Sequence, residues 1–252
     1  MSMLEGRSII VTGAASGIGA EAARRFAAAG ARLTLADRAA NATIAEEIRE
    51  TGGIAQFVAA DVSDEAQVRA MVAQAVSAYG RLDGAFNNAG VDQQPVALHE
   101  VDLAEWRRVT EVDLTGVFLC MKHEIAAMLD NGGGAIVNTS SVLGAIAVPK
   151  SAAYIAAKHG VIGLTRAAAV EYARRGIRAN AILPGAIATP MFADAEKDPA
   201  MAAQLEAVKE AHPINRMGTP AEIAALAAYL LSDAAGYTTG AAIPCDGGFT
   251  AT

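Results

Sequence analysis

Residues 7–29 restrict the fold more than any other stretch. Arg7-Ser-Ile-Ile-Val-Thr-Gly13 is a short β-branched run ending on glycine, Ala14-Ala-Ser16-Gly17-Ile18-Gly19 is a small-residue turn, and an alanine-rich segment to Ala29 follows. A strand that passes through a glycine turn straight into a helix opens a βαβ unit, and such units build parallel sheets covered by helices. In that turn the glycines let backbone amides approach a pyrophosphate, and the helix N-terminus favours its negative charge. The spacing is Thr12-Gly13-x-x-x-Gly17-x-Gly19, with three residues between the first two glycines where the commonest dinucleotide fingerprint has one. Gly13, Ser16, Gly17, Ile18 and Gly19 are thus candidate nucleotide-binding residues.

The alternation continues along the chain. Ala31–Asp37 reads as a second strand whose terminal acid lies 18 residues beyond Gly19, where a carboxylate accepts from ribose hydroxyls and repels a 2'-phosphate. Asp37 therefore favours NAD over NADP, although Arg38 beside it is suited to hold a phosphate. A third strand over Ala55–Val62 brings Asp61 and Val62 to its carboxyl end. Leu82–Gly90 is an apolar strand running into Asn87, Asn88, Ala89 and Gly90. A long helix is expected over Leu103–Leu129, a strand over Gly132–Ser141, and a sixth strand over Ile177–Gly185. Thr219-Pro-Ala-Glu222 is a capping box opening a helix to about Leu231, and Pro244 assigns the last strand to a sheet edge. The pattern implies one doubly wound α/β domain over residues 1–252, with a cover at about 190–212. Hydrophobic residues make up 53% of the chain and aromatics only 5%, so its core is built from Ala, Val, Ile and Leu.

The net charge of −7, without a basic block, argues against nucleic acid or an anionic membrane surface as partner. No apolar run is long enough to span a membrane, so a soluble cytoplasmic protein acting on a small molecule is expected. The histidines show no metal-site spacing, and Cys120 and Cys245 read as two buried free thiols.

The chemistry falls at Ser151–Gly163. Its alanine neighbours make a helix, and a separation of four sets Tyr154 and Lys158 on one face. A tyrosine with its ordinary pKa of about 10 is a poor base at neutral pH, whereas a fixed ammonium stabilises the phenolate. Ser141, thirteen residues earlier at a strand end, can meet Tyr154 at one substrate oxygen.

Taken together, Thr12-Gly13, Asn87-Asn-Ala-Gly90, Ser141, Tyr154-x-x-x-Lys158, Pro184-Gly185 and Asp246-Gly-Gly resemble the short-chain dehydrogenase/reductase family over essentially the whole chain. The resemblance implies a Rossmann fold with a seven-stranded parallel sheet and helices on both faces, and a homotetramer. It makes Tyr154 the catalytic acid/base, Lys158 its pKa-lowering partner and ribose ligand, and Ser141 the residue polarising the substrate oxygen, with Ile187 and Thr189 near the carboxamide. The chain looks most similar to NAD-dependent secondary-alcohol and cyclic-diol dehydrogenases, implying an alcohol or ketone substrate; 3-oxoacyl thioester reduction and a non-catalytic NADH-binding regulator are the alternatives. Where the family usually has asparagine, in a V-N-x-x-G setting, this chain has Val112-Asp113-Leu-Thr-Gly116, which makes Asp113 a candidate fourth member of the proton relay. Val91–Val96, Val142–Pro149 and Met191–His212 are the expected specificity segments.

Overall fold

The computed structural model describes residues 2–189 and 206–251. The strands β1 (Ser8–Thr12), β2 (Arg32–Asp37), β3 (Ile54–Ala59), β4 (Gly84–Asn87), β5 (Gly134–Thr139), β6 (Ile177–Pro184) and β7 (Ala242–Cys245) form one sheet. All neighbours pair in parallel, in the order β3-β2-β1-β4-β5-β6-β7. The order reverses between β1 and β4, so the crevice outside the carboxyl ends of these two strands is where an α/β sheet accepts a ligand. The helices are α1 (Gly17–Ala28), α2 (Thr43–Glu50), α3 (Glu65–Tyr79), α4 (Leu103–Thr110), α5 (Gly116–Asp130), α6 (Ala152–Tyr172) and α7 (Pro220–Leu231).

Strand residues alternate between two cores, as the period of two requires. Ile9 and Val11 of β1 pack with Phe26 of α1, Ile48 of α2 and Leu230 of α7 on one face. Ile10 packs with Met71 of α3, Met128 of α5 and Val161 of α6 on the other. The small helix residues Ala22, Ala23, Ala227 and Ala228 are at most 3% exposed. Their lack of bulk brings α1 and α7 close to the sheet. Helix α7 opens on the expected capping box at Thr219 and Glu222, and among the described residues β7 is an edge strand in which Pro244 stands opposite Leu183 of β6.

Three expectations need correction. Strand β3 stops at Ala59, because Asp61 accepts from the Ser63 amide and hydroxyl and closes a turn, leaving Asp61 and Val62 beyond the strand. The long helix is interrupted by a π-helical turn over Glu111–Thr115. An inserted residue in such a turn reorients the side chains around it, and here Asp113 is fully buried. Cys120 is buried, but Cys245, in the edge strand, is only half-buried.

A polar cluster crosses the second core. Asn87 donates to Glu124 of α5 at 2.9 Å and to Asn138 of β5 at 3.0 Å, and Asn138 donates to Thr165 of α6 at 2.9 Å. Burial pushes the Glu124 carboxyl up to about 7, against the opposing bond from Asn87. Asn87 therefore braces β4, while its neighbour Asn88 faces the ligand crevice.

Candidate active site

The glycine turn sits at the head of β1, and its geometry tolerates little side-chain bulk. Gly13 has φ of +65°, and a Cβ added to Gly19 would lie 2.1 Å from the Gly13 carbonyl oxygen. Ser16 caps α1 in extended conformation without a side-chain hydrogen bond to the first turn. Thr12 ties the second loop to the first: its hydroxyl accepts from the amides of Asn88 at 3.0 Å and Ala89 at 3.1 Å. Asp37 closes the same corner, accepting from the Ala15 amide at 3.1 Å and from the Ala39 amide at 3.0 Å. Amides, glycines and a terminal carboxylate thus form a cradle at the sheet's switch point, which fits a dinucleotide. Arg38 is exposed and helps hold the Asp61 carboxyl below the usual range, after the stronger bond from Ser63.

Helix α6 and the end of β5 bring the candidate catalytic groups together. The Ser141 side chain lies close enough to the Tyr154 phenol to lower it and accepts from the Leu143 amide at 3.1 Å. The Lys158 ammonium lies 5.3 Å from the centroid of the Tyr154 ring. It is 3% exposed, donates to the Thr139 carbonyl at 3.3 Å and pairs with Asp113 at 3.2 Å. The other Asp113 oxygen accepts from the Val91 amide at 2.8 Å. Gly90 lies against this pair, a Cβ there coming into ordinary contact 3.4 Å from the Lys158 nitrogen.

The electrostatics differ from the simple expectation of a lowered tyrosine. Burial pushes the Tyr154 phenol above its ordinary range; the Lys158 charge pulls it down, the Asp113 charge raises it, and the bond with Ser141 lowers it. Lys158 is itself raised, because Asp113 and Tyr154 together outweigh the opposing effect of burial. Asp113 thus holds the lysine charged while offsetting part of its pull on the phenol.

The remaining predicted residues sit at the strand ends. The Gly185 amide donates to the Cys245 carbonyl at 3.2 Å. Ile187 is buried and bridges to Gly218, and Thr189 is half-buried. The carboxyl end of β6, carrying Pro184, is thereby tied to the loop after it. Of the specificity segments, Val142 is buried and Leu143, Ile146, Val148, Val91 and Val96 are half-buried, whereas Met191, Phe192 and most of the cover lie outside the described residues. Three contributors escape sequence reasoning: the Thr12 hydroxyl, the Thr139 carbonyl and Gln93. The first two sit inside motifs that were otherwise read, and Gln93 carries no local signal because its partners lie about 60 residues away.

A family model described as enoyl-(acyl carrier protein) reductase matches residues 13–250. The chain is 45% identical to 2,5-dichloro-2,5-cyclohexadiene-1,4-diol dehydrogenase of Sphingobium indicum, covering all of both chains. It is 47% identical to cis-4-hydroxycyclohexanecarboxylate dehydrogenase of Sinomonas cyclohexanicum, covering 97% of each. Among solved structures, carveol dehydrogenase from Mycobacterium avium in complex with NAD superposes with a TM-score of 0.95 at 30% identity, covering all of both chains. The chain belongs to the short-chain dehydrogenase/reductase family. It is an oxidoreductase that interconverts a secondary alcohol and a ketone.

Proposed function

We propose that this chain oxidises hydrophobic ring alcohols, and reduces the corresponding ketones, with NAD in preference to NADP. The observation that carries this reading is the convergence of Ser141, Tyr154 and Lys158 beside a cradle closed by Asp37. The ring substrate is suggested by the two cyclic alcohols in the relatives' names and by the half-buried Leu143, Ile146 and Val148.

A bound nicotinamide supplies the acceptor or donor of hydride. The amides of Gly13, Ser16, Gly17, Ile18 and Gly19 would hold the pyrophosphate and Asp37 the adenosine ribose, with Asp61 and Val62 beyond it. Asn88, Ala89, Gly90 and Lys158 would hold the second ribose, and Pro184, Gly185, Ile187 and Thr189 the far end. Ser141 orients the substrate oxygen by a hydrogen bond, which strengthens as negative charge develops there. Tyr154 takes the hydroxyl proton in oxidation and returns it in reduction. Lys158 stabilises the phenolate, and Asp113 keeps Lys158 charged.

The direct test is a panel of cyclohexanol, cyclohexane-1,2-diol and 4-methylcyclohexanol, each assayed with NAD and with NADP. At least one is expected to turn over, with kcat/KM at least about tenfold higher for NAD, a difference of about 1.4 kcal/mol. Preference for NADP would remove the Asp37 argument.

Asp113 supplies a second test. Removing its charge lowers both Lys158 and Tyr154, so Asp113→Asn is expected to move the alkaline-rising limb of alcohol oxidation toward lower pH. A limb that stays in place would show that Asp113 has no part in the relay.

A homotetramer working in the cytoplasm is part of the same proposal. Among the described residues no helix is long and apolar enough to cross a membrane. The exposed apolar side chains Leu103, Trp106, Phe118 and Val170 on α4, α5 and α6 support self-association.

A further inference from the structure

Helix α6 carries Tyr154 in its first turn, yet its own cap residue, Ser151, makes no side-chain hydrogen bond to that turn. The first amides of a helix have no partner within it and need an acceptor when they are buried. Here the acceptor comes from elsewhere in the chain. Gln93, 6% exposed in the loop after β4, accepts through Oε1 from the amides of both Ala153 at 2.8 Å and Tyr154 at 3.1 Å. Its Nε2 donates to the Lys150 carbonyl at 3.3 Å, fixing the residue whose φ of +66° places it in the left-handed region just before the helix. All three bonds converge on the approach to Tyr154.

The loop that supplies Gln93 is itself anchored. The Val91 amide donates to Asp113 at 2.8 Å, the Gln94 amide donates to Glu105 at 3.0 Å, and the Asp92 carbonyl accepts from Arg108. Arg108 is locked to Glu105 at 2.7 Å. The loop therefore bridges the Asp113–Lys158 pair and the amino end of the tyrosine helix. We propose that Gln93 is a positioning residue that caps the catalytic helix from a separate loop and sets the Tyr154 phenol against Ser141 and Lys158. This rests on the assignment of Tyr154 as the acid/base. Charge in this loop reaches the phenol: Asp92 adds to the rise of Tyr154, alongside burial and Asp113 and against Lys158 and the bond from Ser141.

The experiment compares wild type, Gln93→Ala and Gln93→Glu using the fastest of the three ring alcohols and its carbinol-deuterated form. Gln93→Ala leaves one buried and one part-buried amide without their acceptor. It is expected to lower kcat about 10- to 100-fold and to enlarge the primary isotope effect on kcat, with KM and NADH affinity within about twofold of wild type. Gln93→Glu keeps the acceptor and should recover kcat to within about threefold. Its added negative charge should move the limb of oxidation set by Tyr154 to higher pH. Wild-type kcat and isotope effect in Gln93→Ala, with only a lower melting temperature, would overturn the proposal and reduce Gln93 to a structural brace. Should Gln93→Ala fail to fold, Gln93→Met, which keeps the bulk and removes the acceptor, is read in its place: a lowered kcat with an enlarged isotope effect supports positioning, and wild-type values of both overturn it. Tyr154→Phe assayed in parallel separates the two failures, because turnover in that variant would sink the acid/base assignment whatever Gln93 does.

Discussion

Tyr154→Phe is expected to lose about 10²- to 10⁴-fold in kcat while binding NADH as wild type does. The substitution removes one oxygen. Phenylalanine preserves the ring that lies beside the Lys158 ammonium and leaves the Asp113–Lys158 pair untouched, so the cradle at the head of β1 has no reason to change. What disappears is the proton carrier between substrate oxygen and lysine, together with its interaction with the neighbouring Ser141. Ser141 still polarises the substrate oxygen, and residual activity from that source should show a pH profile without the tyrosine limb. Steady-state kinetics with the fastest ring alcohol, alongside a fluorescence titration with NADH, reads both halves. Near wild-type turnover would overturn the assignment, and weakened NADH binding would mean that the phenol hydroxyl itself supports the nicotinamide end.

The order of elements and the proximity of most candidate site residues were legible because each rests on a local pattern. The β-branched run, glycine turn and alanine helix at residues 7–29 fold among themselves, and the Thr219–Glu222 box is complete within four residues. Tyr154 and Lys158 are legible for the same reason, being four apart on one helix. The interior of the relay was not. The burial of Asp113 depends on a π-helical turn that periodicity does not reveal, and the size of its effect on Tyr154 depends on distances between α6, the π turn and the loop after β4. Gln93 lies 60 residues before the amide it caps, and nothing near it in sequence distinguishes it from a loop glutamine. The tyrosine shift was expected downward from the lysine alone. Burial, together with the second charge at Asp113, reverses that balance.

Lys158→Met separates the structural role of the lysine from its chemical one. The Asp113 carboxylate is fully buried, and its ion-pair partner is the ammonium 3.2 Å away. Removing that partner leaves an uncompensated buried charge, which costs about 3–5 kcal/mol, whereas an intact buried pair contributes little net stability over neutral packing. Lys158→Met is therefore expected to lower the melting temperature by about 6 °C or more and kcat by about 10²-fold or more, because the phenol keeps the opposing influence of burial and loses the cation that counters it. Adding Asp113→Asn discharges the stranded carboxylate while keeping an acceptor for the Val91 amide. The double variant should regain most of the lost melting temperature and only a small part of the lost kcat, because Asp113 no longer raises the phenol while the cation that counters burial is still gone. Such an outcome gives a coupling energy in stability with a much smaller counterpart in turnover. It would assign to Asp113 the holding of a charged lysine, and to that charge the activation of Tyr154. Recovery of both quantities in the double variant would show instead that Lys158 acts only by neutralising Asp113.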